Sequence, residues 1–353
     1  MLKKSLLLAA VALSTAMFTS CGSDKPISYV PEEQGLTFEK ITDETVDNIV
    51  TPRVYINYEY GNVQSWAQYH AIDISNDGKS LAYVASKNHN WNIFVRNTES
   101  RGSSMQRTHR ENVTSFCYSP NGENICFSEY SENGHYQLYI TNAKQGSFIQ
   151  QISPSNVSDF APRYSTDGKK IFFERWDGQN YTIWSYDLAK GSFFNHCYGA
   201  CPYPINNEEI LCTRINESGN SDIWRINYVK GTETLILTQR GRSFTTPTMS
   251  PDGKWILCVS SNKDKLDLYV VHSDGGSPRQ LTFDPGNDYS PVWSPDGKYI
   301  YYLSQRGTRN GLYNIWKMNF GAQENSIQDY HENTNSNSNN NDSDRKSSLP
   351  RKR

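Results

Sequence analysis

Six short apolar runs punctuate the chain, at residues 81–84, 125–127, 171–173, 210–212, 256–258 and 300–302. Each follows a polar turn of nearly constant composition. Five turns read Ser75-Asn76-Asp77-Gly78-Lys79, Ser119-Pro120-Asn121-Gly122-Glu123, Ser165-Thr166-Asp167-Gly168-Lys169, Ser250-Pro251-Asp252-Gly253-Lys254 and Ser294-Pro295-Asp296-Gly297-Lys298. A degenerate copy, Pro204-Ile205-Asn206-Asn207-Glu208-Glu209, precedes the fourth run. The turns start at 75, 119, 165, 204, 250 and 294, in steps of 44, 46, 39, 46 and 44 residues. Short strands recurring at that period predict an all-β, six-bladed β-propeller of four-stranded antiparallel blades. Proline presets φ at the second turn position, Asp or Asn suits the third, and Gly takes the left-handed site that closes the hairpin. Asn207 stands where Gly stands elsewhere, and positive φ is expected there.

The strands on either side of each turn follow from the same pattern. The first strand ends at the turn with a large residue: Ile74, Tyr118, Tyr164, Tyr203, Met249 or Trp293. Two residues before the turn stand Asp73, Cys117, Arg163, Pro202, Thr248 and Val292; four before it stand the small residues Ala71, Ser115, Ala161, Ala200, Thr246 and Ser290. Side chains alternate faces along a strand, so these two sets should share the face that lines a central channel. Extending the alternation to six residues before the turn gives Tyr69, Val113, Asp159, Tyr198, Phe244 and Asp288, a candidate channel rim that mixes aromatics with acids. The third strand carries an aliphatic–aromatic pair in every copy, such as Ile183-Trp184 and Ile315-Trp316, which reads as packing. The sixth repeat stops after its third strand at Asn319-Phe320. An unpaired edge there would invite aggregation, so an N-terminal strand should close the ring. Residues 53–58 are the first candidate and 36–41 the second.

Composition divides the rest. Lys3, Lys4 and the apolar stretch 6–18 resemble a bacterial lipoprotein signal, which ends at Phe18-Thr19-Ser20-Cys21-Gly22. That resemblance implies cleavage after residue 20, lipidation of Cys21 and a place in the outer membrane, periplasmic or surface-facing. Residues 21–52 read as a linker and 53–320 as the propeller. Residues 321–353 read as a disordered Asn/Ser-rich tail with a basic end. The net charge is −2, and −4 once the two leader lysines are gone, which argues against nucleic acid. Cys126, Cys212 and Cys258 fall in apolar strand positions and read as small buried hydrophobes. Cys197 and Cys201 are near enough in sequence to pair.

Pro291-Val292-Trp293-Ser294-Pro295-Asp296-Gly297-Lys298, with Asp267-Leu268-Tyr269-Val270 and Arg279-Gln280-Leu281-Thr282, resembles the WD40-like repeat of the TolB family. The resemblance spans residues 53–320. It implies the propeller fold and leaves several functions open, because related repeats serve envelope scaffolds, peptidase propellers and polysaccharide lyases.

No Gly-x-Ser-x-Gly elbow and no His-Glu-x-x-His motif occurs. Related lyases bind a metal through His from separate blades, and His70, His109 and His196 are the candidates that resemblance offers. The expectation drawn from the whole chain is a monomeric, non-catalytic envelope module without a cofactor. It binds a protein or peptide at the channel mouth through Tyr69, Asp73, Asp159, Arg163, Tyr198, Phe244 and Asp288. A glycan ligand, or a metal-dependent lyase or hydrolase, is the alternative.

Overall fold

The turn chemistry does what its residues require. In the computed structural model, Asp77 Oδ1 accepts the Ser75 hydroxyl at 2.6 Å and the Lys79 N–H at 3.0 Å, while Ser75 Oγ accepts the Ser80 N–H at 2.9 Å. The same knot recurs at Ser119–Asn121, Ser165–Asp167, Ser250–Asp252 and Ser294–Asp296. The glycine of each turn has φ between 70° and 76°.

The structure describes residues 36–42 and 70–320, with short breaks at 88–89, 101–102, 145, 147–148, 263–264 and 309–311. The leader, Cys21, Tyr69, residues 53–58 and the Asn-rich tail lie outside the described residues. Blade 1 consists of Ile72–Ile74, Ser80–Lys87, Asn90–Asn97 and Met105–Gln106; blade 2 of Val113–Tyr118, Asn124–Tyr130, Tyr136–Asn142 and Ile149–Gln151. Blade 3 consists of Ser158–Tyr164, Lys170–Trp176, Tyr181–Asp187 and Ser192–Tyr198; blade 4 of Ala200–Pro204, Glu209–Ile215, Ser221–Asn227 and Thr232–Leu237. Blade 5 consists of Ser243–Met249, Trp255–Asn262, Lys265–His272 and Arg279–Gln280. Asp288–Trp293, Tyr299–Ser304 and Asn314–Asn319 belong to blade 6, whose outer strand is Phe38–Lys40. Every sheet is antiparallel, and each inner strand touches those of both neighbouring blades, blade 6 meeting blade 1. The chain is a six-bladed β-propeller.

The outer strand of blade 6, Phe38–Lys40, falls within the second candidate stretch, 36–41; the first candidate, 53–58, lies outside the described residues. Phe38 pairs with Met318 and Lys40 with Trp316. Three residues suffice because side chains reinforce the ladder. The Arg306 guanidinium lies 4.2 Å from the Phe38 ring centroid, and Thr42 Oγ1 accepts the Ile315 N–H at 2.8 Å.

The core lies between blades. The second-strand runs are buried in all six copies, with Cys126, Cys212 and Cys258 fully enclosed. The aliphatic member of each third-strand pair is also fully buried. The aromatic member carries a cation in blades 2 to 6. Arg110 lies over Tyr139, Arg175 over Trp184, Arg214 over Trp224, Arg242 over Tyr269 and Arg306 over Trp316, at 4.5–5.8 Å. Such stacking contributes about 0.5–2 kcal/mol per pair.

Two local expectations fail for one reason each. In blade 4, Pro204 pairs with Ile210, the place that Tyr164 takes opposite Ile171 in blade 3. The turn is therefore one residue shorter, and its left-handed position is gone. Asn207 is absent from the positive-φ residues, and Asn206 Oδ1 holds the turn by accepting the Glu208 and Glu209 N–H groups at 2.8 Å. The second failure concerns the inner strands. Phe160 pairs with Glu174 but Arg163 with Phe172, so the inner strand carries one extra residue; blades 2, 4, 5 and 6 repeat this. In blades 3 to 6 a non-glycine residue at this bulge has positive φ: Ala161 at 46°, Cys201 at 49°, Thr246 at 51° and Ser290 at 51°. Three of the small residues four before the turn, Ala161, Thr246 and Ser290, therefore sit at strained bulge positions.

Candidate binding site at the channel mouth

A bulge reverses the faces of every residue beyond it. In every blade but the fourth the residue two before the turn still lines the channel, but in blades 2, 3, 5 and 6 the one six before it does not. Val113, Asp159, Phe244 and Asp288 are fully buried. Asp159 takes a forked pair from Arg175, Nε to Oδ1 at 2.6 Å and Nη2 to Oδ2 at 2.8 Å. Phe244 meets the edge of Tyr269 at 5.8 Å. Burial, then the neighbouring Asp284 carboxylate, push the Asp288 carboxyl well above the usual range. Burial likewise raises Asp159, with Arg175 opposing. Tyr198 is 42% exposed, but it ends the outer strand of blade 3. These positions are not a rim around the channel.

The mouth lies instead on the face of the repeated turns, where a cavity of about 440 Å³ draws on all six blades. Its inner ring is Asp73, Cys117, Arg163, Tyr203, Thr248 and Val292. Ile74, Tyr118, Tyr164, Pro204, Met249 and Trp293 also line it, and Pro120, Pro251 and Pro295 of the turns edge it. In blade 4 the ring residue is Tyr203, one later than Pro202, because of the shortened turn.

Asp73 and Arg163, from blades 1 and 3, meet in the channel with Nη1 3.6 Å from Oδ2. Asp73 also accepts the Tyr118 N–H at 2.8 Å and the Ile74 N–H at 3.0 Å. Burial nevertheless raises its carboxyl above the usual value, against Arg163 and both N–H groups. Arg163 Nε has no partner among the described residues, nor has either ring nitrogen of buried His70. Burial, and then Arg163, push the His70 imidazole well below its ordinary value. Beneath the mouth, neighbouring blades are tied together, blade 1 to blade 6 through their inner strands and the inner strand of blade 4 to the second strand of blade 3. The Ala71 N–H donates to Ser290 Oγ at 3.2 Å, and the Cys201 N–H to Glu174 Oε2 at 2.7 Å. The mouth can therefore present one guanidinium and one carboxyl within an aromatic and proline-edged bowl.

The three histidines do not converge. His70 is buried beside the inner strand of blade 1, His109 follows that blade's outer strand, and His196 stands on the outer strand of blade 3. His196 Nε2 is 2.8 Å from Ser185 Oγ, and its ring packs on Phe172 and Tyr228. Among the described residues no three His, Cys, Asp or Glu side chains gather into a metal-binding set. Cys197 and Cys201 are both free, the first on the outer strand of blade 3 and the second buried in the inner strand of blade 4.

The sequence profile of the TolB beta propeller domain matches residues 63–208 and 206–347. The chain belongs to this family. Over 85 residues it is 34% identical to the Tol-Pal system protein TolB of Anaeromyxobacter dehalogenans, a stretch that covers 24% of this chain and 19% of that protein. The chain thus spans about a fifth of the length of the curated TolB relatives it matches. Among solved structures, the putative TolB of Agrobacterium tumefaciens aligns at a TM-score of 0.57 and 19% identity, over 73% of this chain and 92% of that one. The oligogalacturonate lyase of Vibrio parahaemolyticus aligns at 0.53 and 13%, over 80% and 96%. At those identities the likeness is one of fold, which the putative TolB and the lyase share.

Proposed function

We propose that this chain is a non-catalytic, lipid-anchored TolB-like propeller of the cell envelope. Its channel mouth takes a protein or peptide segment. One observation carries this reading: the mouth collects Tyr118, Tyr164, Tyr203, Met249 and Trp293 around a single Asp73–Arg163 pair. Aromatic and Met side chains beside an Arg are the composition of protein-binding centres. Lipidation at Cys21 would leave the domain in the periplasm or at the surface.

The test is affinity capture from envelope extracts with wild type and a Tyr203→Ala/Val292→Arg variant, beside a Phe194→Ser control on the outer strand of blade 3. The mouth variant should lose a partner that the control keeps. Equal recovery by all three would place binding elsewhere.

A glycan is the second reading, and one observation favours it. A groove of about 580 Å³ between blades 2 and 3 is lined by Asn121, Asn124, Asn142, Gln150 and Tyr164. Amides with an aromatic floor suit sugar hydroxyls. Glycan-array binding that survives the mouth substitutions would support this reading.

A further inference from the structure

We propose that Cys197 and Cys212 form a redox-active dithiol. Cys197 is the accessible attacking thiol, Cys212 is its resolving partner, and oxidation joins the outer strand of blade 3 to the second strand of blade 4.

The geometry begins with the crossing between the two blades. The outer strand of blade 3 ends at Tyr198, Gly199 turns the chain at φ 146°, and the inner strand of blade 4 begins at Ala200. A Cβ placed on Gly199 would lie 3.3 Å from Cys212 Sγ, so the crossing runs directly against that sulfur. Cys212 is fully buried with Phe172, Ile183 and Ile210, and the half-buried Cys197 packs on the same cluster. The two side chains therefore share one cluster at the seam between blades 3 and 4. Both are free, and the pair bridges neighbouring blades.

A cation is built in beside them. Arg214 donates through Nε to the Tyr198 carbonyl at 2.9 Å, and its two terminal nitrogens hold Glu233 at 2.7 and 2.8 Å. Fixed in this way next to Tyr198, the guanidinium favours the Cys197 thiolate. The Cys212 thiol, and then Arg214, draw Cys197 below the ordinary thiol value against the effect of burial. The Cys197 thiol, and then burial, push Cys212 well above that value. A lowered, accessible thiol beside a raised, buried one is the arrangement of an attacking and a resolving cysteine. The molecule supplies its own contrast. Cys117 and Cys126 face each other across blade 2, but both are buried, and burial raises both.

The oxidant is an organic disulfide. The Cys197 thiolate attacks one of its sulfurs, forms a mixed disulfide and expels a thiolate. Cys212 gives up its proton and attacks Cys197 Sγ, which expels the second thiolate and closes the protein disulfide. Two protein thiols are oxidised, and one organic disulfide is reduced to two thiols.

The test uses the full chain with oxidised glutathione, acid quenching, alkylation and peptide mapping. Wild type should yield a crosslinked peptide joining Cys197 to Cys212, and Cys212→Ala should accumulate a glutathione adduct on Cys197. Cys197→Ala should leave Cys212 unmodified. The iodoacetamide rate of Cys197 in wild type, followed against pH, should have its midpoint below the free-thiol value of about 8.5. A stable Cys197 adduct in wild type, a crosslink to Cys201, or a midpoint at or above the free-thiol value would overturn the proposal.

Discussion

Arg163→Met should leave the Asp73 carboxylate in the channel without its cation. The pair is 3.6 Å apart, with side chains only 8% and 13% exposed. At an effective dielectric near 20 that separation corresponds to about 4–5 kcal/mol of attraction. Two backbone N–H groups still hold Asp73, so the net loss should fall at the low end of the range for orphaning a buried ion, about 3 kcal/mol. For a domain of this size that means a midpoint lower by about 6 °C. The sign with pH follows from the raised Asp73 carboxyl. Its folded form holds a proton more tightly than its unfolded form, so stability falls as pH rises from the unfolded value through the folded one. Without Arg163 that window extends upward. Urea unfolding at pH 5 and pH 8 should therefore show the larger deficit at pH 8, and Asp73→Asn added to Arg163→Met should recover most of it. A deficit under about 1 kcal/mol at both pH values, or a double variant as unstable as the single one, would refute the reasoning.

Gly199→Ala should cost about 2–3 kcal/mol by calorimetry, because φ 146° strains any other residue and the new methyl meets Ile183, Cys212 and Thr213 at 3.2–3.3 Å. Asp296→Ala should lower stability by about 1 kcal/mol, since Oδ1 accepts both the Ser294 hydroxyl and the Lys298 N–H. His196 is pushed down to about 4 by burial, then by Lys170. Its unfolded form therefore binds the extra proton between about pH 6.5 and 4, and stability should be lost as pH falls through that window. His196→Phe should flatten the slope of unfolding free energy against pH there.

Much of the blade was legible because a turn is local chemistry. Ser, Asp and Gly at fixed offsets form one hydrogen-bonded knot, and five of six copies carry it. The Asp73–Arg163 encounter was legible as two opposite charges on one channel-facing ring. The bulge was not, because its residues carry no turn signature: Ala161, Thr246 and Ser290 look like ordinary small strand residues. That one extra residue carried Asp159, Phe244 and Asp288 from an expected rim into the interior. The fourth turn hid a deletion behind two asparagines, which moved the channel residue from Pro202 to Tyr203. The closing strand was ambiguous because several N-terminal stretches can pair with an open edge. Phe38 under Arg306 and Thr42 against Ile315 hold the stretch that the structure places there.

The latch at Phe38–Lys40 sets an order of events. It joins the beginning of the described chain to Asn314–Asn319 near its end, so it cannot engage until the last blade exists. Tying ends some 275 residues apart costs about 5 kcal/mol of chain freedom. A three-residue ladder repays that only once the other five sheets have already drawn the two ends close. During synthesis, then, the nascent protein must wait as an open arc with one raw edge. Cutting off its first forty residues would make that waiting state permanent.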